Sequence, residues 1–333
     1  MEKTCFGTMP SGEVISLYTI KNADASLTLM EMGCAIVKFE AFGKDIIGGF
    51  DTLEDYLKDT SHQGAIIGRV ANRVAGAKFV MDGITYELPK NNNGNCLHGG
   101  VGFDRKVWNV DAFGEDCITF SYLSKDNEEG FPSELLTRVT YRLKGASVLI
   151  DYKAYPKGKT PIALTNHSYF NLNGFGGTVY DHLITVYADR YTAVDERLIP
   201  NGDRPFVDGT VFDLKTPTRM GERLSDGFAG YDHNFILNGN PRETVFGKEL
   251  ALAAEVAGEE LSMKVYTDQP GIQFYMGNSL GKGPDFRGGI KPIVHGAFCL
   301  ESQTEPNCVN LGQGFFDAGE VYTHTTVYKV YKN

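Results

Sequence analysis

Six polar clusters in the chain carry residues able to move protons or grip a ligand. They are Gly68-Arg69-Val70-Ala71-Asn72-Arg73, Leu97-His98-Gly99-Gly100, residues 165–172 (Thr-Asn-His-Ser-Tyr-Phe-Asn-Leu), Tyr231-Asp232-His233-Asn234-Phe235, residues 269–275 (Gln-Pro-Gly-Ile-Gln-Phe-Tyr) and Cys299-Leu300-Glu301-Ser302-Gln303. The imidazoles His98 and His167 and the carboxylates Asp232 and Glu301 offer general acids and bases. Arg73, Asn72 and Gln273 offer directed hydrogen bonds. Taken singly, each has an ordinary structural explanation: a histidine lining a glycine turn, a core histidine satisfied by Asn166, an arginine in a surface ion pair.

Other chemistries fit the residues less well. Gly277-Asn278-Ser279-Leu280-Gly281 has the G-x-S-x-G spacing of a serine nucleophile, but Lys282-Gly283-Pro284 follows, where that motif needs a helix. No two of the seven histidines stand at H-x-H or H-x-x-x-H spacing, which argues against a metal. Asn166-His167-Ser168 has the form of a glycosylation sequon, expected to stay unmodified without a secretory signal. Asp232 and Glu301 could be the paired carboxylates of a glycosidase, which leaves both histidines without a role.

These clusters are far apart, so the elements between them must gather them. Those elements read as strands. Ile118, Phe120 and Tyr122 alternate with Thr119 and Ser121, and Val139, Tyr141 and Leu143 with Thr140 and Arg142. Ile150, Tyr152 and Ala154 behave likewise, as do Leu261, Met263 and Val265. Asp82-Gly83 between Phe79-Val80-Met81 and Ile84-Thr85-Tyr86 predicts a tight hairpin. Helical signals are short: residues 52–57, with Thr52 as N-cap, and residues 218–224. The expected fold is all-β, a large antiparallel β-sandwich with a few short helices. With no linker or composition break, residues 1–333 are expected to form one domain.

Composition agrees. The chain has 333 residues, 42% hydrophobic and 22% charged, with 39 glycines and 39 aromatic residues (21 Phe, 17 Tyr, 1 Trp). A net charge of −10 argues against nucleic acid or an anionic membrane as partner. No apolar run reaches the ~20 residues of a membrane helix, and the N-terminus lacks a secretory signal, so a cytoplasmic protein is expected. Its six cysteines include no C-x-x-C pair and are expected to be free buried thiols.

In this order, the clusters resemble the aldose 1-epimerase (mutarotase) family. Its most specific pieces are Asn72-Arg73, residues 97–100, residues 166–172 and residues 299–303, and the likeness runs from near residue 10 to near residue 330. The chain departs from the family pattern at Thr304-Glu305-Pro306-Asn307-Cys308 and at Gly312-Gln313-Gly314-Phe315-Phe316. The resemblance implies a galactose mutarotase-like β-sandwich with an open sugar cleft and no metal or organic cofactor. It implies that Glu301 is the base at O1, His167 the acid at O5 and His98 a second donor near O5. Asn72, Arg73, Asp232 and Gln273 would hold the sugar hydroxyls, with Phe274 or Tyr275 against its C–H face. The partner would be a free aldose such as glucose or galactose, feeding hexose metabolism, with the protein a monomer or homodimer.

This equipment suits the reaction. Interconverting α and β anomers needs the C1 hydroxyl to lose a proton and the ring oxygen to gain one. The ring opens, C1 rotates, and the ring closes on the other face. A bell-shaped pH dependence is expected, with its upper limb raised by carboxylates near His167. The alternatives are a hexose-6-phosphate 1-epimerase, needing further cations, and a non-catalytic carbohydrate-binding protein, needing neither Glu301 nor the histidines.

Overall fold

Alternating sequence becomes sheet, and sheet carries the cleft. The computed structural model describes residues 2–225 and 227–333. Strands Cys117–Ser124, Leu135–Lys144 and Ser147–Pro156 form an antiparallel meander in which Phe120 stands opposite Val139, and Val139 opposite Tyr152. Ile118, Phe120, Val139, Tyr141, Ile150 and Tyr152 are all buried on one face, as the period-2 pattern predicts. The ten-stranded sheet continues through Tyr322–Lys332, Leu261–Thr267, Lys248–Ala257, Leu183–Val186 and Thr218–Arg219. Its far side has a small apolar layer of its own, with Leu149, Leu252, Tyr266 and Val327. That layer is why Leu261–Thr267 is buried on both faces.

An N-terminal five-stranded sheet (Glu2–Thr8, Val14–Lys21, Ala25–Met30, Ala35–Ala41, Lys44–Asp45) packs over the inner face. Tyr18 meets Phe120 edge-on at 6.2 Å, and the Tyr141 hydroxyl donates to the Cys34 carbonyl at 2.7 Å. A four-stranded sheet (Ala188–Tyr191, Asp232–Leu237, Gly271–Tyr275, Cys299–Gln303) closes the same core. The Tyr328 hydroxyl ties it to the central sheet by donating to the Leu300 carbonyl at 3.0 Å. All three sheets therefore share one continuous apolar interior. Each large side chain fully buried there contributes about 1.5–3 kcal/mol.

The Asp82-Gly83 turn joins strands Lys78–Met81 and Ile84–Glu87, and both turn residues have positive φ (52° and 78°), the geometry a two-residue hairpin needs. Helix Leu53–Lys58 forms with Thr52 as its N-cap, whose hydroxyl accepts from the Asp55 amide. The expected helix at 218–224 is absent. Thr218–Arg219 instead pairs with Leu183–Val186 at the sheet edge, and turns follow it. Edge pairing outweighs a weak helical signal interrupted by Gly221. All six cysteines are free, but Cys5 is exposed and Cys117 half-buried, so only four are buried thiols. Among the described residues, no helix is long and apolar enough to cross a membrane.

Candidate active site

The four-stranded sheet has one apolar and one polar face. Ile272, Phe274, Phe235 and Leu300 point into the core. On the other face, Asn234, Gln273 and Glu301 stand in one register row, and Asp232, Tyr275 and Cys299 in the next. This polar face floors a cleft of about 690 Å³, within the range of small-molecule sites.

The walls come from short strands and loops. Arg73–Val74 pairs with Cys96–Leu97, which sets Asn72 beside His98. The His98 amide donates to the Asn72 carbonyl at 3.0 Å, and the Asn72 amide donates to His98 Nδ1 at 3.2 Å. Both residues have left-handed backbones (φ 60° and 56°), uncommon for non-glycine residues and concentrated at functional sites. His167 follows the two-residue strand Thr165–Asn166 and is fixed by its amide to the Ala65 carbonyl at 2.9 Å.

The cleft lining includes Asn72, Arg73, His98, His167, Asp232 and Glu301. Gln273 sits behind it, donating from Nε2 to Asp232 Oδ1 at 2.7 Å. Arg73 Nη2 approaches Asp232 Oδ2 at 3.8 Å, and Arg73 Nε donates to Asn92. Of the two aromatic candidates, Tyr275 lines the cleft and Phe274 is wholly in the core.

His167 Nε2 and Glu301 Oε1 face each other at 3.8 Å, both side chains almost fully buried. Glu301 Oε2 is buried and has no hydrogen-bond partner. Burial pushes the Glu301 carboxyl well above its ordinary range, with Asp232 adding to the shift and Arg73 opposing it. The same burial drives His167 down to about 3, with His62 pushing the same way. This reverses the expectation that carboxylates raise His167, because loss of water outweighs their attraction. The pair then shares one proton over a wide pH range.

Hydrogen-bond partners set the tautomers. A backbone amide can only donate, so His98 Nδ1 is bare and its proton sits on Nε2. Desolvation, reinforced by its imidazole neighbours, keeps His98 from charging. Behind His167, Cys299 Sγ lies 3.6 Å from Nδ1, and burial holds the thiol protonated. A thiol sulfur can accept weakly from Nδ1–H, which leaves Nε2 as the nitrogen that takes up or gives the proton shared with Glu301. His167, Cys299 and Glu301 form the one group among the described residues with ligand-type atoms spaced for a metal, within 4.8 Å of one another. The two ring nitrogens of His167 face different members of that group, so a shared ion would displace both contacts.

Sequence reasoning missed His62, Tyr169 and the rim residues Asn278, Ser279 and Lys282, all of which line the cleft. His62 sits in no recognisable motif; its left-handed φ of 61° and its contact with distant Asp104 appear only in three dimensions. The G-x-S-x-G segment forms a turn rather than the start of a helix, and the Ser279 amide donates to the Tyr275 hydroxyl. Asn166 is 2% exposed and donates to the Gly64 carbonyl, which buries the sequon. Arg69 is buried away from the cleft and donates to the Ser124 and Thr160 hydroxyls and to the Pro132 and Lys125 carbonyls. Arg105 is held by the Tyr56 and Asp59 carbonyls.

Comparison with known proteins gives one answer. Residues 16–329 match the family model described as aldose 1-epimerase. The chain is 40% identical to a galactose mutarotase of Bos taurus, over 98% of this chain and 97% of that protein. It is 34% identical to an aldose 1-epimerase of Escherichia coli K12, over 96% of each. The crystal structure of a galactose 1-epimerase from Lactobacillus acidophilus superposes with a TM-score of 0.88 at 25% identity, covering 100% of this chain and 98% of that one.

Proposed function

This chain belongs to the aldose 1-epimerase family, and from that premise we propose that it interconverts the α and β anomers of free aldoses such as glucose and galactose. The observation that carries the reading is the buried Glu301–His167 pair, 3.8 Å apart, with Glu301 Oε2 unpartnered beside a sugar-sized cleft. A buried carboxylate oxygen without a donor is costly. A sugar hydroxyl supplies that donor. The two oxygens to be served, O1 and O5, share one carbon, so acid and base must lie within a few ångströms of each other.

In the proposed cycle the shared proton starts on Nε2 of His167, an imidazolium beside ionised Glu301. Glu301 takes the O1 proton while His167 Nε2–H gives its proton to O5 and becomes neutral. The C1–O5 bond breaks, leaving an aldehyde and a C5 hydroxyl. After C1 turns, His167 takes the proton back from the attacking hydroxyl and Glu301 returns its own to the carbonyl oxygen. No proton is gained or lost overall. The neutral Nε2–H of His98 donates to O5 without charging. Arg73, Asn72 and Asp232 hold the ring hydroxyls, with Gln273 fixing Asp232 and Tyr275 offering a ring face.

A 6-phosphorylated sugar fits less well. Arg69 and Arg105 are committed to protein acceptors, which leaves Arg73, already facing Asp232, and the rim residue Lys282. A dianion needs more positive charge than that.

Polarimetry of freshly dissolved α-glucose, with and without the protein, tests the reading. Faster relaxation to the equilibrium rotation is expected. Sugar binding without acceleration points to a non-catalytic binder, acceleration with the 6-phosphate alone to the phosphosugar enzyme, and release of reducing sugar from a glycoside to a hydrolase.

A further inference from the structure

A third histidine completes the wall that holds His98 and His167. The His62 ring centre lies 4.8 Å from that of His98 and 5.7 Å from that of His167. Its Nδ1 is 2.8 Å from Oδ2 of Asp104, a buried carboxylate that also meets Arg105 Nε at 3.3 Å. A carboxylate accepts, so the neutral ring's proton sits on Nδ1 and its remaining acceptor is Nε2, on a side chain that lines the cleft. His98, with Nδ1 occupied by the Asn72 amide, has the opposite tautomer. Two adjacent imidazoles therefore present one acceptor and one donor.

This complementarity has a chemical address. On the reading above, His98 and His167 serve the ring oxygen. The carbon bonded to that oxygen on the side away from C1 is C5, which carries the exocyclic hydroxymethyl group of a hexose. A side chain packed against both imidazoles borders that substituent, and a bare nitrogen there accepts from a hydroxyl. We propose that His62, oriented by Asp104, is a specificity-determining residue that accepts a hydrogen bond from the C6 hydroxyl of an aldohexose. The inference rests on the anomerase reading and deepens it.

The test compares glucose with 6-deoxyglucose, which differ only in O6. Wild-type protein is expected to favour glucose in kcat/KM by roughly three- to ten-fold, the span of one neutral hydrogen bond at a part-exposed site. His62→Asn tolerates the left-handed backbone but lacks the reach, and should bring the ratio to near one. His62→Gln, which offers a longer carbonyl acceptor, should restore part of it. Because the ratio is taken within each variant, partial loss of folded protein cancels. Equal wild-type rates on the two sugars, or a ratio unchanged within about two-fold in His62→Asn, overturns the assignment while leaving the anomerase reading intact. Acceleration of neither sugar by the wild-type protein overturns both.

Discussion

The two faces of the four-stranded sheet are equally buried and chemically opposite. Phe274 and Leu300 have no exposure, while their neighbours Gln273 and Glu301 have 3% and 2%. The apolar face gains free energy from leaving water. The polar face loses it, and Glu301 Oε2 is not even compensated by a hydrogen bond. The difference teaches that burial here serves two ends. One face holds the sheet on the core; in the proposed cycle, the other keeps water from an acid and a base that exchange protons with a sugar.

Substitutions on the two faces should therefore fail in different ways. The largest effect is expected from Glu301→Gln, which should slow turnover about 10²–10⁴-fold while thermal stability holds or rises, since a costly buried acid is gone. Wild-type turnover would end the proton-transfer role. Leu300→Ala, one residue away, should cost about 2–5 kcal/mol of stability, with far less loss of turnover per folded molecule. If denaturant titration finds it as stable as wild type, the apolar face is not what holds the sheet.

Arg73→Ala should act through binding. Loss of charged hydrogen bonds worth about 1.5–3 kcal/mol should raise KM roughly ten- to hundred-fold, with kcat moving less. A change confined to kcat would place Arg73 in the chemistry instead.

The pH profile sharpens the contrast further. Glu301 is raised and His167 lowered to about 3, so the pair carries one proton between those limits. In the proposed cycle only the fraction with that proton on His167 is productive. Acid adds a second proton near pH 3 and removes the base; alkali takes the last one above the usual carboxylate range and removes the acid. The acid limb of the kcat/KM profile should therefore fall near pH 3, below the ordinary carboxylate value of about 4.3. An acid limb at or above that ordinary value would break this account of burial.

The remaining effect is on stability. His98, His167, His182, His233 and His324 are all lowered by burial. The folded state leaves them neutral while the unfolded chain takes up protons below about pH 6.5, so stability falls with pH, by up to about 1.4 kcal/mol per unit for each imidazole. Asp45, Asp232 and Glu301 are raised and pull the other way, their contribution being lost as pH rises above the ordinary carboxylate range. The imidazoles outnumber them, and Tm should drop between pH 7 and pH 5. A constant Tm would mean that they do not stay neutral.

Legibility followed regularity. The meander from Cys117 to Pro156 was readable because alternate residues meet alternate environments, and the 82–83 hairpin because its turn demands positive φ. The expected helix at 218–224 failed because sheet-edge pairing is a tertiary event. His62 escaped notice because Asp104, 42 positions away, orients it.

The sequence by itself determined an all-β chain of the aldose 1-epimerase family and named six of the polar residues that line its cleft, Asn72, Arg73, His98, His167, Asp232 and Glu301. That followed because alternation and residue type are local properties. Tertiary structure alone decided that Gln273 stands behind Asp232, that Tyr275 and not Phe274 meets the cleft, and that His62 joins the other two imidazoles. It also decided where the shared proton resides. Desolvation depends on everything packed around a group, and no local pattern encodes it.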